Sequence, residues 1–84
     1  MPEISRFYGI IIKMYFLASE HNPPHIHAIY GEYVGLFSLV DGEMFEGDIP
    51  LKEQRLVQKF INTNQEKLTY MWEKQEFEVL PPIE

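Results

Sequence analysis

The chain has 84 residues, 45% of them hydrophobic and 14% aromatic, with a formal net charge of −6. That length holds one small core and excludes a second, so a single domain over residues 1–84 is expected, and the composition argues against disorder. There is no cysteine, which excludes disulfides and thiolate metal sites, and Lys13 interrupts the apolar stretch from Ile10 to Leu17 well short of the roughly 20 residues of a membrane span. The opening Met1-Pro2-Glu3-Ile4-Ser5-Arg6 lacks the basic-then-apolar order of a signal peptide, so a soluble, cytoplasmic protein with no membrane partner is expected.

Residues 8–16 predict a first strand. Tyr8, Ile10, Ile12, Met14 and Phe16 form an apolar face, and Gly9, Ile11, Lys13 and Tyr15 a mixed one. Glu20-His21-Asn22-Pro23-Pro24 follows as a stiff loop, because two prolines fix φ and remove two backbone donors. His25–Tyr30 and Tyr33–Val40 predict two more strands joined by a Gly31-Glu32 hairpin turn. Asp41-Gly42 is the strongest turn signal in the chain, and a short strand from Glu43 to Gly47 is expected after it.

Beyond Gly47-Asp48-Ile49-Pro50 the period changes. Val57, Phe60, Ile61, Asn64, Leu68, Met71 and Trp72 recur at spacings of three and four, one face of an amphipathic helix. Pro50 suits its first turn and Asp48 its positive end. Thr63-Asn64-Gln65-Glu66 fits a capping box that would start a second helix. The apolar stripe keeps its phase across Thr63, however, so one continuous helix to about residue 75 is expected. Phe77–Leu80 is apolar enough to dock, and Pro81-Pro82 ends regular structure. The expected fold is α+β: an antiparallel meander of about four strands, covered on one face by one long C-terminal helix with Trp72 as its largest side chain.

Charge is uneven. Between residues 32 and 50 stand Glu32, Asp41, Glu43, Glu46 and Asp48 with no cation, whereas residues 51–72 carry Lys52, Arg55, Lys59 and Lys67 against two acids. An acidic chain without a cationic recognition helix predicts no strong autonomous binding of duplex DNA.

The residues best suited to chemistry are the three histidines. His25 and His27 share a strand face with Cα atoms about 6.5–7 Å apart. His21 is placed to reach back across the proline loop as a third metal ligand, and three histidines plus water suit a divalent metal such as zinc. The same imidazoles suit general acid–base work, with Lys13, Arg6, Tyr30 or Arg55 steadying a phosphate. The plainer alternative is that they hydrogen-bond to neighbours on a sheet face without any cofactor. Arg6 beside Phe7 and Tyr8, and Glu32 in the Tyr30-Gly31-Glu32-Tyr33 turn, are further binding candidates. No Gly-rich phosphate loop and no nucleophile elbow is present, and these motifs leave open whether the chain is an enzyme.

At Met1-Pro2-Glu3-Ile4-Ser5-Arg6-Phe7-Tyr8-Gly9-Ile10 and His21-Asn22-Pro23-Pro24-His25-Ile26-His27 the chain resembles the bacterial domain of unknown function 4160 family. The resemblance extends through Asp41-Gly42 and the helix to Trp72. It implies a component of a toxin–antitoxin-like gene pair, with a protein partner from a neighbouring gene. A histidine-dependent ribonuclease-like toxin, with RNA as substrate, and a histidine-cluster metal domain are the alternatives. The resemblance carries over no catalytic residue; His25 and His27 match its most distinctive motif.

Overall fold

A computed structural model describes residues 3–14, 24–74 and 76–82. Five strands are formed: β1 (Glu3–Phe7), β2 (Ile10–Lys13), β3 (His25–Tyr30), β4 (Tyr33–Ser38) and β5 (Met44–Gly47). Two helices follow, α1 (Leu51–Thr63) and α2 (Gln65–Lys74). The strands lie in sequence order, each antiparallel to the next. The α+β class and the meander agree with the sequence reading, but the numbers of strands and helices do not.

The additional strand comes from the segment around Tyr8. Alternation makes residues 8–16 look like one strand, yet Tyr8 and Gly9 both take positive φ, 49° and 79°, and form a two-residue turn between β1 and β2. Tyr8 is therefore 59% exposed and does not belong to the apolar face, whereas Ile10, Ile12 and Met14 are buried as the alternation requires. Tyr15 and Phe16 lie outside the described residues. The later turns fall where Gly31-Glu32 and Asp41-Gly42 put them, although β4 stops at Ser38 rather than Val40. The Asp41 carboxylate accepts a hydrogen bond from the Glu43 N–H at 2.9 Å, which fixes the second turn.

The predicted single helix is broken at Asn64. Its N–H is shared between the carbonyls of Phe60 and Ile61, its side-chain amide also donates to Phe60 O at 3.0 Å, and its own carbonyl accepts the Leu68 N–H. Asn64 thus ends one helix and opens the next. Gln65 Nε2 anchors the break by donating to the Leu39 and Val40 carbonyls at 3.0 and 3.2 Å. Because only one residue leaves the helix, the apolar stripe hardly changes phase, which is why periodicity does not reveal the break. At the other end, Pro50 occupies the N-cap position rather than the first turn. Asp48 bonds back to Val34 of β4 through both its N–H and its carboxylate.

One face of the sheet supplies Ile10, Ile12, Ile26, Ala28 and Phe37 to a single buried cluster, and the helices supply Val57, Phe60, Ile61, Leu68, Met71 and Trp72. Each large side chain so buried contributes roughly 1.5–3 kcal/mol. The tail closes against the edge strand β1, where buried Leu80 donates its N–H to Ile4 O at 2.7 Å. Among the described residues no helix is long and apolar enough to cross a membrane.

Two outcomes check this packing. Trp72 is 4% exposed, so its emission should be blue-shifted in the folded protein, and Trp72→Ala should cost about 3–5 kcal/mol in chemical denaturation. Gly47 has φ +123°, and a Cβ there would run into the Val34 carbonyl oxygen and the Gly35 Cα. Gly47→Ala should therefore destabilise by about 1–3 kcal/mol, while a neutral result would place the β4–β5 register elsewhere.

Candidate functional site

The sheet has a second face, and strand alternation decides what stands on it. Across it lie Arg6, Ile11, Ile29 and Val34 in one row, and Lys13, His27, Leu36 and Glu46 in the next. His25 faces Ser38 at the end of the same face. Directly opposed residues on antiparallel strands hold their side chains within about 4.5–5.5 Å at Cβ, so Lys13 and His27 are immediate neighbours.

The two imidazoles are brought together, with ring centroids 5.2 Å apart. Their surroundings differ. His25 is 4% exposed and its Nε2 is buried. Its ring meets the Trp72 indole of α2 at 5.1 Å and the Phe45 ring edge-on at 5.7 Å. Phe45 reaches it because of a bulge: Leu36 pairs with Glu46 but Phe37 with Met44, which leaves Phe45 as the extra residue. Bulges re-aim side chains in this way. His27 is only half-buried. His25 is thus the packed imidazole that fixes the geometry, and His27 is the one a solute or partner can touch.

The other expected site residues separate. Arg6 shares the face but is tied to Glu3 by two hydrogen bonds, Nη2 to Oε1 at 2.8 Å and Nε to Oε2 at 3.3 Å. The hydrogen bond from Arg6 holds the Glu3 carboxyl below its ordinary value, and the same bond raises Arg6. The pair is therefore intact at neutral pH and is lost as pH falls through the lowered Glu3 value. Tyr30 lies on the opposite, core face, stacked on Tyr33 with centroids 6.3 Å apart. Glu32 is exposed in the hairpin turn. Neither joins the histidines. His21 lies outside the described residues. Among the described residues no three His, Asp or Glu side chains gather closely enough to hold a metal ion.

Two neighbours were not legible as site residues. Trp72 reads from its helical spacing as core alone, and Phe45 sits in a four-residue strand whose bulge leaves no mark in the alternation. The acidic residues of the β4–β5 side, Glu32, Asp41, Glu43, Glu46 and Asp48, are all exposed. The row from Lys13 to Glu46 consequently runs from positive to negative across the sheet.

Residues 9–73 match the family model for a domain of unknown function, DUF4160. No curated protein and no solved structure matches the chain.

The two histidines should respond differently to truncation. His25→Ala removes a buried ring with three aromatic neighbours and should lower stability by about 2–4 kcal/mol. His27→Ala should stay within about 1 kcal/mol of the parent in urea unfolding. Equal costs would contradict the assignment of packing to one and accessibility to the other.

Proposed function

The chain belongs to the DUF4160 family, whose description assigns no activity, and we propose that it acts as a protein-binding module, one component of a toxin–antitoxin-like gene pair. It docks a partner encoded by a neighbouring gene on the sheet face around His27. The observation that carries this reading is the makeup of that face. Ile11, Ile29, Val34 and Leu36 form an apolar patch beside Lys13, His27 and Glu46, with Val34 43% exposed, while the helices bury their apolar side chains in the core on the other face and Trp72 of α2 meets this face at His25. Aliphatic side chains framed by charge are the makeup of a docking surface rather than of a solvated one. The exposed acids from Glu32 to Asp48 favour a partner with basic groups, speeding its approach more than tightening its grip.

A second reading rests on Lys13 standing directly across from His27. A cation next to a half-buried imidazole suits contact with an RNA phosphodiester, with His27 as acid or base. The net charge of −6 weighs against autonomous binding of nucleic acid.

Calorimetry with the neighbouring gene product tests the docking reading. Val34→Asp and Lys13→Glu should each weaken binding by about tenfold or more with the fold intact. Unchanged affinity in both would remove the sheet face from the interface. RNA cleavage by the purified chain, abolished by His27→Ala, would favour the second reading instead. Submicromolar binding of duplex DNA at physiological salt would contradict the charge argument of both.

A further inference from the structure

The end of β3 away from His25 carries a separate feature. A cleft of about 310 Å³ opens between the β1–β2 turn, the end of β3 and the start of α1, lined by Tyr8, Tyr30, Lys52, Glu53 and Leu56. Glu53 is 9% exposed, and among the described residues it makes no hydrogen bond and no ion pair. Its carboxylate oxygens are not among the fully buried polar atoms, so the carboxylate opens onto solvent in the cleft.

The usual partner is absent for a stated reason. Glu53 is the third residue of α1, where a glutamate ordinarily reaches back to the N-cap N–H. The N-cap is Pro50, which has no N–H, and no side chain caps this end. The helix dipole favours an acid in the first turn but supplies no hydrogen bond to it. The carboxylate is thus held in the wall of a cavity, with its acceptor capacity unspent.

The remaining walls suit a positive charge. Tyr30 is held in place by Tyr33, stacked at 17°, and by the turn at Gly9, where a Cβ would meet Tyr30 Cε1 at 3.5 Å. Tyr8 is the one non-glycine residue with positive φ among those described, a conformation that asparagine or glycine adopts at lower cost. The chain nevertheless places an exposed phenol there, beside the cleft. Aromatic faces attract cations, a carboxylate supplies the counter-charge, and Leu56 accommodates an alkyl stem. Lys52 is exposed, so its ammonium is free to extend into water.

We infer that this cleft binds an organic cation, an ammonium or guanidinium head on an alkyl stem, with Glu53 as counter-ion and Tyr8 and Tyr30 as aromatic walls. The site lies apart from the sheet face around His27 and does not depend on the docking reading. Its ligand is either a free alkylamine or the Lys or Arg side chain of a protein.

The test is NMR titration of the intact chain with n-butylammonium, n-butylguanidinium, a capped peptide containing one arginine, and n-butanol as the neutral control. Saturable shifts at Tyr8, Tyr30 and Glu53 are expected with the cations and not with butanol. Tighter binding of the peptide than of the free cations assigns the site to a protein side chain, and the reverse assigns it to a small amine. Glu53→Gln should weaken binding by about tenfold or more. No saturable shift with any cation, or equal affinity in Glu53→Gln, would overturn the assignment.

Discussion

Strand β3 is the constraint on which the rest depends. It is the central strand of five, and a one-residue slip in its pairing would exchange its faces. In the observed register Ile26 and Ala28 enter the core while His25, His27 and Ile29 stand on the other side. The apolar side is fixed by the helices that cover it. The histidine side is consequently fixed too, although it makes a smaller contribution to the driving force. Hydrophobic burial on one face of the sheet thus sets the geometry of the polar groups on the other.

Two irregularities adapt this regular frame. The bulge in β5 turns Phe45 toward His25, and with Trp72 it makes one imidazole part of the packing. A second bulge, in β1, lets Ile4 and Ser5 both be buried in succession. It leaves Glu3 opposite Lys13, within reach of Arg6. Each bulge costs a ladder position and gains a side chain aimed where alternation would not put it. The cleft at the other end of β3 depends on a third departure, the left-handed Tyr8. The features suited to binding therefore cluster where the backbone leaves its regular pattern, as expected when local rules yield to function.

The regular parts were legible in the sequence for the same reason. Alternation in His25–Tyr30, the turns at Gly31-Glu32 and Asp41-Gly42, and the helical stripe ending at Trp72 each follow from a period or a turn chemistry with one physical solution. Tyr30, a candidate partner of the histidines by sequence, stands on the core face of the same strand and is separated from them. The Tyr8-Gly9 turn was not legible, because a tyrosine in the left-handed region contradicts the preference that identifies such turns. The break at Asn64 was legible as a capping box but was outweighed by a stripe that a single non-helical residue hardly disturbs. The company of His25 could not be read at all, since Phe45 reaches it through a bulge and Trp72 from a segment more than forty residues away.

The central claim is the register that sets Lys13 opposite His27 and His27 opposite Leu36. Backbone NOEs in an isotope-labelled sample measure it most directly. Cross-strand contacts from Lys13 to His27 and from His27 to Leu36 are the predicted result. Contacts from Lys13 to Ile26 or Ala28 would mean a register slipped by one residue, with the histidines turned into the core and the proposed docking face dissolved.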